Sequence, residues 1–315
     1  FDGSADLAGS AGVIGTNLEA KLAAAQQLTV RSPGAIRFSA GEHRFNDLIL
    51  DTASLAASAR NGASDSVTID AANVRLTNAT KAADGCAVAG FCGQGSALTL
   101  NTATLSFGAN DVRASGFSKA VTLAASGGMY VEGKGSFSSG TTALTLNTPF
   151  LADRSVLADP RDQKVRPEYS FLTAAGFTIS AAGTDPAAKP SGNAAPGARI
   201  NIGSTAAPVL SATILGSLIQ ATAGIIDIES SGDITLNRAT LSVPGYSQTF
   251  GDSVDPVTVS AGGGTINLLT KSGNIGADAA STLITDTGKG SAGTLNLLAG
   301  NGRITLDAAI NPGVT

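Results

Sequence analysis

The sequence has no tryptophan, one methionine (Met129), one histidine (His43) and two cysteines (Cys86 and Cys92) in 315 residues. Aromatics are 4% and charged residues 14%, the latter far below the roughly 25% of ordinary soluble chains. Each shortage removes a class of protein. One histidine and two cysteines leave a zinc site without enough ligands, and no other metal or cofactor motif is present. The 20 basic residues are scattered and the net charge is −4, so neither a nucleic-acid footprint nor a polybasic membrane patch is expected. Few large side chains argue against a thick globular core. Hydrophobic residues still reach 43%, which separates the chain from disordered sequences.

What is present is repetition. Ala-Leu-Thr-Leu-Asn-Thr at 97–102 returns unchanged at 143–148, with Val121-Thr122-Leu123 halfway between. Leu98, Val121 and Leu144 are thus 23 residues apart at each step. A short fixed period of apolar-polar-apolar triplets is the pattern of a strand solenoid. Three alternating strands per coil, separated by Gly, Asn or Asp corners, predict an all-β, right-handed parallel β-helix with coils of about 23 residues. A strict shift of 23 sets Phe107 over Tyr130 and Ala114 over Phe137, and makes Thr99, Thr122 and Thr145 a surface column. Ala124 interrupts Asn101 and Asn147, so no continuous asparagine ladder is expected on that face.

The same pattern recurs with looser spacing at Leu28–Val30, Ile36–Phe38, Leu48–Leu50, Val67–Ile69 and Val74–Leu76, and later at Ile226–Ile228, Ile234–Leu236 and Val257–Val259. Gly264–Leu269 and Gly293–Leu298 repeat 29 residues apart. Residues 1–315 are therefore read as one solenoid, with 81–96 as a cysteine loop, 149–197 as an extra-helical insertion and 244–256 as a loop excursion. Thr16-Asn17-Leu18-Glu19 fits a capping box, so a short helix there competes with a strand. The uncharged run Pro208–Ile226 is diluted by Ser, Thr, Gly and Gln and is read as two buried strands, not a membrane span. The chain opens Phe1-Asp2-Gly3 without a start methionine or signal segment and is read as a section of a longer protein.

Candidate chemistry is sparse. Cys86 and Cys92, five residues apart in a glycine-rich stretch, are expected to close a disulfide in an oxidising setting, against the alternative of two free thiols. Asp159/Asp162 and Asp252/Asp255 sit in proline-rich loops and read as solvated turns, not a hydrolytic pair. His43 lies between two strands without a nucleophile elbow and is expected at a surface or corner. The triple glycine 262–264 and Gly127-Gly128 read as corners, not phosphate loops. No catalytic residue is assigned. The remaining binding candidates are Arg154, Arg161, Lys164, Arg166, Tyr169 and Phe171, because Arg and Tyr are favoured at recognition sites.

At its C-terminal repeats the sequence resembles the filamentous haemagglutinin-like large exoproteins of Gram-negative bacteria. Gly232-Asp233-Ile234-Thr235-Leu236, the two Gly-Thr-Ile/Leu-Asn-Leu-Leu segments and Gly302-Arg303-Ile304-Thr305-Leu306-Asp307-Ala308 carry the likeness. It extends over most of the chain, weakly before residue 60 and not across 149–197. The resemblance implies two-partner secretion through an outer-membrane transporter and work at the cell surface in adhesion, biofilm or contact-dependent competition. The expectation is a non-enzymatic, extracellular shaft that displays loops to host-cell, matrix or neighbouring-cell ligands. Alternatives are a carbohydrate-active β-helix and a homopolymeric filament subunit associating end to end.

Overall fold

The computed structural model describes residues 13–14, 22, 25–58, 62, 64–86, 93, 95–154, 166–185, 187–191, 194–251, 254–285 and 291–311. Its strands form a ten-stranded and a sixteen-stranded parallel sheet and one antiparallel two-stranded ribbon. The chain visits three strand columns in turn, here called the first, second and third faces, which gives a β-helix-like winding. Strand Ala120–Val131 shows how. Its residues 121–124 pair on the first face and residues 129–131 on the second. The next strand, Lys134–Gly140, joins the third face. Leu144–Asn147 then returns to the first.

The first face is continuous. Val67, Leu98, Val121, Leu144, Phe177, Ala212, Ile234, Ile275 and Ile304 stand in register one above another. The column from Val67 to Ile275 is at most 1% exposed. Alternation turns the residue between each apolar pair outward. The expected threonine column follows and is longer than the repeat announced: Thr68, Thr99, Thr122, Thr145, Thr178, Thr213 and Thr235 succeed one another. The 29-residue C-terminal repeat is also in register, Thr265 pairing with Thr294 and Ile275 with Ile304.

Strict 23-residue stacking fails past the first corner. Phe107 pairs with Val131, not Tyr130, and Val112 rather than Ala114 pairs with Phe137. The register slips between Thr102 and Thr104, where Ala103 faces Ser126 and Gly127. A two-residue corner facing a one-residue corner is a bulge, and the next corner adds one residue more, 132–136 facing 108–111, which brings Phe137 to Val112.

The insertion expected over 149–197 is largely not one. Strands Phe150–Asp153, Glu168–Thr173 and Gly176–Ser180 belong to the three faces. Proline and charge at the corners hid ordinary coil strands. Among the described residues of this stretch, those within 181–197 leave the tube: Phe150–Asp153 pairs directly with Leu218–Gln220, so that coil has no second-face strand. The cysteine loop behaves similarly, since Ser54–Ala57 pairs with Val112–Ser115 across it. The excursion at 244–256 extends further than expected. Tyr246–Phe250 and Val257–Ala261 form the antiparallel ribbon, so Val257–Val259 is a hairpin arm and not a coil strand. Pro208–Ile226 contains strands Ser211–Leu215 and Leu218–Gln220. No helix among the described residues is long and apolar enough to cross a membrane. The capping box lies outside the described residues.

Candidate functional site

The outward residues two positions beyond the threonine column build a polar file along the edge between the first and second faces. In successive coils it runs Arg44, Asp70, Asn101, Ala124, Asn147 and Ser180. The strands hold these side chains in line because each backbone pairs with the next at about 4.8 Å. Asn101 donates to Asp70 at 2.8 Å, and Arg44 lies 4.0 Å from the other Asp70 oxygen while bonding Glu42 at 2.9 Å. Charge in the file is thereby compensated.

This file is the floor of an open groove of about 590 Å³. Phe45 and Arg44 stand at one end, Ala71, Thr102, Ala124 and Ser126 along it, and Ala182, Gly183 and Thr184 rise as a wall at the other. The wall is the start of the excursion 181–197. Asp185 donates its amide to the Ser126 carbonyl at 3.2 Å, and Tyr130 shares hydrogen bonds with the Ser191 hydroxyl and amide at 3.3 Å. Under the excursion, Tyr130, Phe150 and Ala152 form a small outward apolar cluster that Ala188 and Leu218 cover. Tyr130 and Phe150 meet edge to face at 5.2 Å. Gly128 permits this with φ +129°, where a Cβ would fall 2.0 Å from the Phe150 ring. The excursion is a docked strap, not a free loop.

The binding candidates separate. Tyr169 and Phe171 are fully buried in Glu168–Thr173, packed with Phe107 inside the tube, so no partner reaches them. An aromatic at an inward strand position reads in sequence like one on a loop; only the pairing tells them apart. Arg154 is exposed with its guanidinium carbon 4.8 Å from the Tyr130 ring centroid, where it braces the strap cluster. Arg166 is exposed and lies against Gly197. Arg161 and Lys164 lie outside the described residues, as do Asp159, Asp162 and Asp252. Asp255 is exposed on the hairpin. Cys86 is disulfide-bonded, and Cys92, the only other cysteine of the sequence, lies outside the described residues. His43 is fully buried, not at a surface: Nε2 hydrogen-bonds the Ser39 carbonyl at 2.9 Å and the ring meets Phe38 edge to face.

Two polar features escaped the sequence reading. On the third face Ser170, Asn201, Asp227, Asn267 and Asn296 stack in register. Asn201 donates to Ser170 at 3.0 Å, Asn267 to Asp227, and Asn296 to Asn267 at 2.8 Å, while Arg199 pairs with Asp227 at 2.8 Å. Their spacings vary from coil to coil, so no single period reveals them. The second is Asp153, which pairs with Val131 and turns inward with Leu151. It is 3% exposed; one oxygen accepts the Thr222 amide at 3.3 Å and the other has no partner. Burial away from water pushes its carboxyl up to about 7. No group of three or more metal-ligating side chains occurs among the described residues.

Among the described residues, Asp70 is the only carboxylate lining the groove. No known protein family, curated protein or solved structure matches this chain.

Proposed function

We propose that the chain is a structural and adhesive segment of a secreted bacterial surface exoprotein of the filamentous haemagglutinin-like kind, wound as a right-handed parallel β-helix. The single observation that supports it best is the unbroken register of the first face across nine coils, from Val67 to Ile304. Such stacking makes a stiff spacer, and strand-to-parallel-strand connections are overwhelmingly right-handed. The cysteine loop, the strap and the hairpin each leave the tube at corners, where solenoids carry their contacts. On this reading the protein reaches the cell exterior through an outer-membrane transporter and meets host-cell, matrix or neighbouring-cell ligands. A disulfide at Cys86 accords with an oxidising compartment.

The test is adherence of protein-coated beads to epithelial cells, extracellular matrix and bacterial lawns. Retention above albumin-coated beads, reduced when 246–261 is replaced by a short Gly-Ser turn, is the expected result. Retention by none of these surfaces overturns the adhesive role. A hydrolase reading needs two carboxylates across a cleft, and the groove lining offers Asp70 alone. Release of reducing ends from polysaccharides would favour that alternative instead. A filament subunit would show concentration-dependent growth in light scattering.

A further inference from the structure

We propose that the groove along the first and second faces binds a neutral polysaccharide chain laid parallel to the rod axis. The floor crosses five coils from Arg44 to Asn147, a run of about 19 Å at about 4.8 Å per coil. It presents the same edge position again and again, so it is a linear array suited to a linear repeating ligand. With the Thr102 hydroxyl buried against the Ala72 and Thr104 carbonyls and the Thr184 hydroxyl donating to Ala181, its chemistry is that of the side-chain amides of Asn101 and Asn147. These donate and accept at once, as sugar hydroxyls require. The amide of Asn147 makes no hydrogen bond to another described residue. Ala124, set between Asn101 and Asn147, leaves a depression where a ring can sit between two amides.

Charge and backbone exclude the other linear polymers. Arg44 is paired with Glu42 and Asp70, so the groove offers no net positive field for a sulfated or uronate-rich chain. Asp70 is in turn held by Arg44 and Asn101, which leaves no row of carboxylates for a polycation. An extended peptide gains most of its affinity from an open strand edge. Here the floor is the face of a sheet whose strands are already paired on both sides at residues 70, 101 and 124. The strap wall is fixed before any ligand arrives, by Asp185 on Ser126 and by the Tyr130–Ser191 bonds. Pre-organisation lowers the ordering cost of binding.

The experiment is affinity electrophoresis of the protein in gels containing mixed-linkage β-glucan, dextran, galactomannan or neutral xylan, with heparin and polylysine as charged comparisons. Retardation by at least one neutral polymer is expected, with a dissociation constant raised at least tenfold in the double variant Asn101→Ala/Asn147→Ala and in Ala124→Arg. Thr213→Ala, on the same face but outside the groove, should bind as the unaltered protein does. All four substitutions are on the surface, and circular dichroism melts establish that the variants fold. Absence of retardation by every neutral polymer, stronger retention by heparin at physiological salt, or groove variants that bind undiminished each overturn the proposal. Any of these leaves the shaft reading intact, because that reading rests on stacking and not on the groove.

Discussion

Asp153 shows how one side chain can oppose the fold around it. Its carboxyl is buried inside the tube on the strand where Asp153 pairs with Val131, with only one oxygen hydrogen-bonded. In the unfolded chain its pKa is near 3.8; in the folded protein it rises to about 7. The folded state therefore holds the proton more tightly. Its contribution is fully favourable below the unfolded value and is lost as pH rises through the folded one. Thermal melts from pH 4 to pH 8 should show a decline that Asp153→Asn flattens. At pH 8 the variant should be the more stable by on the order of 3 kcal/mol. A wild-type protein no less stable at pH 8 than its Asn variant would contradict this. Gly128 is the complementary case. At φ +129° and against the Phe150 ring, Gly128→Val should cost about 3 kcal/mol or more in urea unfolding, from backbone strain and the clash together.

Among the elements, the strap 181–197 and the coil strands beneath it divide the work. The strap is held from outside by an aromatic pair, a few hydrogen bonds and the Arg154 guanidinium over Tyr130. Tyr130→Ala removes the hub of that attachment without touching the inner column. It should leave the global melting temperature within a few degrees but speed proteolytic nicking within 181–197 several-fold, as peptide mapping by mass spectrometry would reveal. The interior is different. Leu123 is fully buried between Leu100 and Leu146, and rigid neighbouring coils cannot collapse into a vacated site. Leu123→Ala should cost about 2–5 kcal/mol by denaturant unfolding.

Across the molecule, coils pair with the coils before and after them, except where Ser54–Ala57 meets Val112–Ser115 and Phe150–Asp153 meets Leu218–Gln220 across a coil that lacks that face. The third face alone stacks ten strands, a span of about 43 Å at about 4.8 Å per step. Stability in such a stack is close to a sum of nearest-neighbour terms, so damage stays local. In Leu123→Ala, hydrogen exchange should accelerate over residues 97–147 while Thr265–Thr270 keeps its protection. Uniform acceleration along the chain would mean a single cooperative unit instead. Reduction of the Cys86 disulfide acts outside the stack. It should loosen the loop after Thr77 and cost about 2 kcal/mol.

Period, alternation and therefore the inward and outward sides are written in the order of the residues. Leu98, Val121 and Leu144 share a column because three apolar-Thr-Leu triplets at equal spacing have one economical way to stack, and the threonines between them had to face out. Corners were beyond that order's reach. A single extra residue at Ser126–Gly127 moved Phe107 from Tyr130 to Val131, and nothing local distinguishes a bulge from a corner. The buried places of Tyr169, Phe171 and His43, the strap over Tyr130 and the groove it walls were decided by tertiary structure alone. Each depends on which distant strand lies next in the stack. Pairing at a separation of 68 residues, as between Phe150 and Leu218, leaves no mark on either segment.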